Sequence, residues 1–264
     1  MDYQDLIIDF MEKAVISKED VPSDPQGRLS SLIQRVKDEY VFNMPGYIID
    51  ESEFEKVENP EKNAKRLHLS LCNARIEDGA LKGVNLSLHY RGKLPIELPS
   101  VFLRTCYFDL FEIILDSQRL PTDKHWNLIL GSPNIGKSLF HVFCLYVLIK
   151  ANAPVFFHSE HLEDGYPTYP ALFYGGEVYY CKSFPKSKLI SRSNIWFLHD
   201  RKEAPSGIWP ANISITVSSP LKRDWYMNHL KESSLPALHM PLWSYEELKH
   251  NTVLDPQCKD YRRM

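Results

Sequence analysis

The sequence predicts an α/β fold in which a mainly parallel β-sheet is flanked by helices and preceded by a small α/β module. Two observations support this prediction. Short apolar runs recur between residues 126 and 217, and an apolar segment of helical length separates the first two runs. Apolar strands that alternate with helices are typical of parallel sheets with both faces covered. The 264 residues, 44% of them hydrophobic, are enough to bury a substantial core.

Residues 1–98 carry the patterns that we assign to the small α/β module, whose role the sequence does not indicate. Apolar residues recur at near-helical spacing within residues 6–15 and again within residues 29–40. This spacing predicts two amphipathic helices. A segment rich in Pro, Gly and Asp lies between them and predicts a loop.

Two strands are predicted in the second half of this module. Residues 67–71 and 84–90 alternate or run apolar as strands do, and the Glu-Asp-Gly sequence at residues 77–79 indicates a turn between them. A Pro-containing stretch then predicts a boundary near Pro99. We therefore expect residues 99–264 to form a second domain.

The second domain is predicted to begin with a helix and to continue with the strands of the sheet. The helix is expected to start at Ser100, because serine commonly caps helices and an apolar face follows it. Residues 137–151 are predicted to form a crossover helix. The four apolar runs that predict strands are residues 126–130, 154–158, 195–199 and 213–217.

A β-hairpin is predicted among the connections of this sheet. Residues 171–181 form two aromatic-rich runs on either side of Gly175 and Gly176. Paired glycines between such runs are typical of a tight hairpin turn.

The segment after the first predicted strand carries a phosphate-loop motif. Gly131, Gly136, Lys137 and Ser138 satisfy G-x-x-x-x-G-K-[ST], with a strand before the motif and a helix after it. Glycines let backbone N–H groups converge on phosphate oxygens, and the helix N-terminus adds its positive dipole. We therefore expect the fold of a P-loop NTPase. The predicted nucleotide-binding residues are Gly131, Ser132, Pro133, Asn134, Ile135, Gly136, Lys137, Ser138 and Leu139.

Catalysis at such a loop requires a positively charged side chain beside the phosphates and a metal ion. Lys137 is predicted to contact the β- and γ-phosphates, and the Ser138 hydroxyl is predicted to join the Mg²⁺ shell. Asp200 follows the third apolar run and is the predicted Walker B aspartate, although an aspartate that merely ends a strand is the alternative. No glutamate follows Asp200 directly, so the water-activating carboxylate of many ATPases is missing there.

Other polar residues at strand ends are candidates for the remaining catalytic roles. Glu160 is the candidate base, and an ordinary solvated carboxylate is the alternative; Glu203 is a weaker candidate. Ser219 is the candidate contact for the attacking water or the γ-phosphate, and a residue that simply caps the strand is the alternative. Arg223 is a candidate arginine finger, and a solvated surface arginine is the alternative. Leu221 stands where a guanine-specific motif needs Asn or Thr, so ATP and Mg²⁺ are the expected cofactors.

Composition and charge exclude several other classes of protein. A net charge of −3 argues against a protein that coats nucleic acid through its overall field. The five cysteines form no C-x-x-C pair, so reduced thiols are favoured over zinc. We expect no signal peptide, because the chain begins with acidic residues, and no membrane partner, because no apolar run approaches bilayer-spanning length. An intracellular location, cytoplasmic or nuclear, is predicted.

An ordered set of motifs resembles a known group of proteins. The motifs are ELPSVFLRTCYFDLFEIIL, LILGSPNIGKSLFHVFCLYVLIK, IWFLHD, ISITVSSP and LHMPLWSYEELK. Together they cover residues 96–250 and resemble the P-loop domain of the Crinkler and retrotransposon hot spot (RHS) class. The resemblance implies an ATPase of the additional-strand type, in which one strand lies between the loop strand and the Walker B strand. It also implies a possible DNA target or protein partner, because the family often couples this domain to a nuclease-like domain.

The sequence departs from the family pattern in three places. Asn134 stands where family members commonly have glycine, which is expected to stiffen the turn. The ubiquitin-like header of secreted Crinkler effectors is absent, and the chain ends soon after the last motif. With no nuclease carboxylate cluster identified, we do not expect the chain to cleave DNA by itself. Trp243 and Tyr245 are expected to pack the end of the sheet, with adenine stacking as the alternative.

Three functional hypotheses follow from these features. The first is a slow, Mg²⁺-dependent ATPase. The second is a nucleotide-gated interaction module, or pseudo-ATPase, that binds ATP without significant turnover. The third is a P-loop kinase, which the sparse arginines after the loop disfavour.

Overall fold

The computed structural model describes residues 24–41, 52–90, 94–120, 125–159, 170–182, 195–200, 213–218 and 236–254. The helices are α1 (Pro25–Val36), which continues as a π-helical turn (Lys37–Val41), α2 (Asn63–Asn73), α3 (Thr105–Ser117), α4 (Lys137–Lys150) and α5 (Tyr245–Leu254). The strands are β1 (Phe54–Lys56), β2 (Arg75–Glu77), β3 (Ala80–Tyr90), β4 (Leu94–Phe102), β5 (His125–Leu130), β6 (Val155–Ser159), β7 (Ala171–Tyr174), β8 (Glu177–Cys181), β9 (Trp196–Asp200), β10 (Ile213–Ser218) and β11 (Leu238–His239).

Eight strands form the large sheet, in the order β1-β8-β7-β6-β9-β10-β5-β11. From β6 to β11 all neighbours are parallel, whereas β7, β8 and β1 extend the sheet in antiparallel fashion. Strand β10 lies between β5 and β9. The predicted α/β class with a mainly parallel sheet flanked by helices is therefore confirmed.

The central strands are apolar because both of their faces are buried. On β9, Trp196 and Leu198 join the main core, which also contains residues of the helices, while Phe197 joins a second cluster with Phe54 and Phe156. Alternate residues of a strand point to opposite faces of the sheet. A strand buried on both faces needs apolar residues at consecutive positions, and this need explains the continuous apolar runs.

Helix α4 is the centre of the helical layer. It packs against β6, β9 and β10 and also against α1, α2 and α3. Every residue from Phe140 to Leu148 is buried, as expected for a helix that is surrounded on all sides. The Phe143 ring lies 5.0 Å from the Phe108 ring and 6.2 Å from the Phe111 ring, measured between centroids. None of the described helices combines the length and the apolar character that a bilayer crossing requires.

The hairpin predicted at residues 171–181 is confirmed, and the turn predicted at residues 77–79 is confirmed, although the strand before it is residues 75–77. Strands β7 and β8 pair antiparallel around Gly175 and Gly176, which have φ values of 60° and 79°. Strands β2 and β3 pair around Asp78 and Gly79, with φ values of 53° and 72°, and β4 completes a separate three-stranded sheet. Two consecutive residues with positive φ match the right-handed twist of the flanking strands.

The strand predicted at residues 67–71 is wrong, because these residues lie in α2. Ala64, Leu67, His68 and Leu71 are buried, at the i, i+3, i+4, i+7 spacing of a helix. Leu69, which made the sequence look alternating, is 41% exposed. His68 completes the buried stripe of this helix. Because histidine is polar, the spacing of apolar residues alone did not indicate the stripe.

The helix predicted to start at Ser100 begins five residues later. Residues 100–102 continue β4, and α3 starts at Thr105 with Arg104 as its N-cap residue. Strand β4 thus runs through the predicted boundary at Pro99. The helix predicted within residues 29–40 is confirmed as α1, whereas the one predicted within residues 6–15 lies outside the described residues.

The division into residues 1–98 and 99–264 stays a prediction. A substitution in α1 can test it. Leu29, Leu32 and Val36 on α1 belong to the same core cluster as α3 and α4. If the two parts unfold independently, a core substitution in α1 will leave the stability of the second part unchanged. If the shared core couples them, the whole chain will lose stability together.

We expect Leu32→Ala to lower the free energy of unfolding of one cooperative transition by about 2–5 kcal/mol, because it opens a cavity beneath α1. Urea unfolding followed by tryptophan fluorescence and by circular dichroism measures this loss. The exposed neighbour Ser31 provides the control, and Ser31→Ala should change the value by no more than about 0.5 kcal/mol. Two separate transitions, with only one affected, would support independent domains.

Candidate functional site

The phosphate-loop motif lies at the carboxyl edge of the parallel strands. Residues 131–136 connect the end of β5 to the start of α4, and β10 and β11 flank β5. Ligands of open α/β sheets bind at this edge. Ser132, Pro133 and Asn134 are exposed, whereas Ile135 is buried and fixes the loop to the core.

Neighbouring side chains lie close to the two glycines of the motif. Gly136 has a φ of +95°, and a Cβ placed on it would lie 2.3 Å from the Tyr107 hydroxyl. A Cβ on Gly131 would lie 2.2 Å from Cδ1 of Ile135. At both positions a side chain would have to displace the end of a neighbouring side chain, so glycine lets the loop backbone lie close to its neighbours.

Asn134 adopts the left-handed conformation, with a φ of 64°. Asparagine enters this region more readily than most other side chains, and glycine enters it freely. The structure thus gives a physical reason why both residue types suit this position. The departure from the expected glycine is compatible with the turn.

Lys137, the first residue of α4, folds its side chain back over the loop. Its Nζ donates hydrogen bonds to the carbonyl oxygens of Gly131 and Ser132, both at 2.6 Å. Burial lowers the pKa of Lys137 from its ordinary value, and the charge of Asp200 acts in the opposite direction. The ammonium is therefore held at the loop by two carbonyls, which a phosphate oxygen could replace as acceptors.

Asp200 ends β9 on the sheet face that carries Trp196 and Leu198, the face towards α4. Its Oδ2 atom is buried and receives no hydrogen bond in the structure as described. An unpaired carboxylate oxygen of this kind is a suitable ligand for a cation. Asp200 ends β9 at the same carboxyl edge as the loop, which follows β5, and only β10 separates the two strands. Its charge opposes the effect of burial on the pKa of Lys137.

The donor set fits a magnesium ion shared with a phosphate chain. Mg²⁺ is usually bound by one or two carboxylates together with substrate phosphates and waters. Asp200 would provide the carboxylate, and Ser138, half-buried as the second residue of α4, would provide a hydroxyl. Within the described ranges, no three His, Cys, Asp or Glu side chains form a metal-binding group of their own.

His141 lies one helical turn after Lys137 and was not identified from the sequence. Its Nε2 donates to the Ile215 carbonyl of β10 at 3.1 Å. Burial lowers its pKa to about 4, against the opposing effect of Asp200, so the ring is neutral at pH 7. His141 therefore joins α4 to the strand between the loop and Asp200. The sequence feature that could have indicated His141 is its position four residues after Lys137.

Arg104 is the second residue that sequence reasoning missed. Its guanidinium is 1% exposed and forms a bidentate pair with Glu247, at 2.8 and 2.9 Å. It also donates to three backbone carbonyls: Ile135 (2.8 Å), Pro241 (3.2 Å) and Leu242 (2.9 Å). This one side chain connects the loop, α3 and the segment that leads into α5.

Trp243 packs on the loop. Its Nε1 donates to the Asn134 carbonyl at 3.2 Å, and its ring lies 4.4 Å from Cζ of Arg104. The ring also stacks on Phe102 at 6.1 Å. A packing role for Trp243 is thus confirmed, but the prediction for Tyr245 is wrong, because Tyr245 is 75% exposed. Tyr245 starts α5 on its solvent side.

Several predicted catalytic residues lie outside the described residues. They are Glu160, Ser219, Glu203 and Arg223. Their roles stay predictions from the sequence. His158 and His199 are buried and form a hydrogen bond between their Nδ1 atoms at 3.2 Å.

Comparisons with protein-family models, with curated proteins and with solved structures find no match for this chain. The resemblance to the Crinkler and RHS class therefore rests on the sequence motifs, and it stays a prediction.

The strain at Gly136 can be separated into its two causes with a second glycine. Gly83 has a φ of +79°, but a Cβ added there would meet nothing within 4 Å. We expect Gly83→Ala to cost about 1–2 kcal/mol for the left-handed backbone. Gly136→Ala should cost about 1–3 kcal/mol more, because the methyl group also collides with Tyr107.

Urea unfolding of both variants measures the two costs. Equal losses would show that the Tyr107 hydroxyl moves aside and that packing does not require glycine at position 136.

Proposed function

We propose that this chain is a P-loop NTPase that binds Mg²⁺–ATP and hydrolyses it slowly. The observation that carries the proposal is the placement of Lys137 and Asp200 at one edge of the sheet. Lys137 opens α4 directly after the loop, and Asp200 ends β9, which only β10 separates from the loop strand. The strand order supports the fold assignment, because β10 lies between β5 and β9 as in the additional-strand type. The resemblance to the Crinkler and RHS class points to the same nucleotide and fold.

Binding follows from the loop and the helix that it opens. The first N–H groups of a helix have no intrahelical partner and carry a partial positive charge, which favours phosphate. Lys137 adds a full charge when its ammonium turns from the Gly131 and Ser132 carbonyls towards phosphate oxygens. The helix below cannot shift easily, because residues 140–148 are packed on all sides.

Hydrolysis would come from positioning and from stabilisation of charge. The γ-phosphoryl group spreads negative charge over its oxygens in the transition state. Lys137 and an Mg²⁺ ion held by Asp200 and Ser138 would oppose that charge. We assign the base to Glu160 and the contact with water or γ-phosphate to Ser219 on the strength of the sequence.

The second candidate function is a nucleotide-gated interaction module, which shares the binding site but not the turnover. Arg104 and Trp243 connect the loop to the segment before α5, so that a change in the loop reaches this segment directly. In addition, Arg201 occupies the position after Asp200 where many ATPases have a glutamate.

We expect Lys137→Ala to weaken the binding of Mg²⁺–ATP by about 10- to 100-fold, because a hydrogen bond to a charged group contributes about 1.5–3 kcal/mol. Isothermal titration calorimetry measures the dissociation constant. Lys150 is the matched control: it lies at the other end of α4 and donates to the Cys72 carbonyl. Equal binding by the wild-type protein and Lys137→Ala would contradict the phosphate-loop assignment.

Asp200→Asn separates the metal role from nucleotide binding. We expect this variant to lose the Mg²⁺ dependence of ATP affinity, because a neutral amide holds the metal poorly, and to release phosphate about 100-fold more slowly. A phosphate-release assay and titrations with and without Mg²⁺ measure both effects.

The same assay distinguishes the candidate functions. Tight binding without phosphate release by the wild-type protein would favour the interaction module. Transfer of the γ-phosphate to an added acceptor, rather than to water, would indicate a kinase.

A further inference from the structure

Three consecutive carbonyl groups of the loop accept hydrogen bonds from side chains outside the loop. The bonds run from Trp243 Nε1 to the Asn134 oxygen (3.2 Å), from Arg104 Nη1 to the Ile135 oxygen (2.8 Å) and from the Tyr107 hydroxyl to the Gly136 oxygen (2.9 Å). We call the three donor side chains, Trp243, Arg104 and Tyr107, the carbonyl clamp. Two of them lie at the start of α3 and one precedes α5.

The clamp determines the direction of the N–H groups that follow each carbonyl. In a planar trans peptide, the C=O and N–H bonds of one unit point in opposite directions. A carbonyl that is held towards the protein therefore directs the next N–H away from its donor. The three N–H groups concerned are those of Ile135, Gly136 and Lys137.

We propose that the carbonyl clamp holds these three N–H groups in a preformed site for the polyphosphate chain of a nucleotide, so that its members are positioning residues for nucleotide binding. The inference rests on the proposed function and deepens it. None of the clamp residues needs to touch the nucleotide, because each acts through a backbone carbonyl.

The first half of the loop has the opposite orientation. The carbonyls of Gly131 and Ser132 accept from the Lys137 ammonium. The peptide between Ser132 and Pro133 has no N–H, because proline lacks one. The loop can therefore reverse its peptide direction at Pro133 without leaving a donor unpaired. One half of the loop holds the cation, and the other half presents donors to an anion.

The clamp acts mainly through geometry. Arg104 is paired with the buried carboxylate of Glu247, so the two charges balance beside the loop. Tyr107 and Trp243 are neutral donors. Their contribution to binding is the order that they impose before the ligand arrives, and such preorganisation increases affinity because less freedom is lost on binding.

Two substitutions remove a donor and keep an aromatic ring at each position. We expect Tyr107→Phe and Trp243→Phe each to weaken the binding of Mg²⁺–ATP and of inorganic tripolyphosphate by about threefold to tenfold, the effect of one lost hydrogen bond. Titration calorimetry on the full chain measures both ligands. Hydrogen exchange of the ligand-free protein should be faster in the peptide that spans residues 131–139. Arg104 is left unchanged, because breaking a buried ion pair destabilises the whole fold.

Tyr40→Phe is the matched control, because the Tyr40 hydroxyl donates to the Leu115 carbonyl, away from the loop. This variant should keep the wild-type affinities and the wild-type exchange of the loop. A general loss of stability would affect all three variants, whereas the loss of positioning affects only the two in the clamp.

Each outcome separates this inference from the proposed function. If the wild-type protein binds both ligands and the two clamp variants bind them equally well, the positioning role of the clamp is wrong, whereas the nucleotide site stands. If the variants lose affinity for ATP but keep it for tripolyphosphate, the residues act on the nucleoside and the clamp is again overturned. If the wild-type protein binds neither ligand, the proposed function itself is wrong.

Discussion

The arrangement around the candidate site depends on one buried cation. A guanidinium that leaves water needs a counter-charge and hydrogen-bond acceptors, or the fold does not tolerate it. Arg104 meets this requirement with the Glu247 carboxylate and three carbonyls, and its acceptors come from the loop and from the segment after β11. Because these acceptors must converge on one side chain, the start of α3, the loop and the start of α5 have a common geometry.

The predictable part of the fold was the part whose signal is local. Strands β5, β6, β9 and β10 are buried on both faces, so their apolar runs are continuous and easy to recognise. The strand prediction for residues 67–71 failed because leucine at alternate positions is the pattern of a strand, whereas in the helix only Leu67 and Leu71 share the buried face and Leu69 is exposed. The burial of His68 decides for the helix, and burial of a polar residue depends on tertiary contacts, here with Phe173 across the core.

The residues of the candidate site also fall into two groups, those that a local sequence signal indicates and those that it does not. The glycines, Lys137 and Ser138 lie within eight residues, and Asp200 follows an apolar strand, so sequence spacing alone indicates them. Arg104 and Glu247 are 143 residues apart. Glu247 also has a local role. It forms a capping box with Ser244, in which the side chain of each residue accepts a hydrogen bond from the backbone N–H of the other. The capping box accounts for a helix start but does not reveal the arginine that shares the carboxylate.

Charge and geometry are supplied to the loop by different residues. Lys137 brings positive charge, and burial lowers its pKa, so the ammonium gains from any anion that replaces its carbonyl partners. The charge of Arg104 is balanced by Glu247, and what it contributes is the direction of a carbonyl. A residue that supplies charge can be recognised in a motif, because phosphate chemistry requires it at a given spacing. A residue that supplies direction can come from any element that reaches the outer side of the loop. Such residues are therefore identified only when the contacts of the loop carbonyls are known.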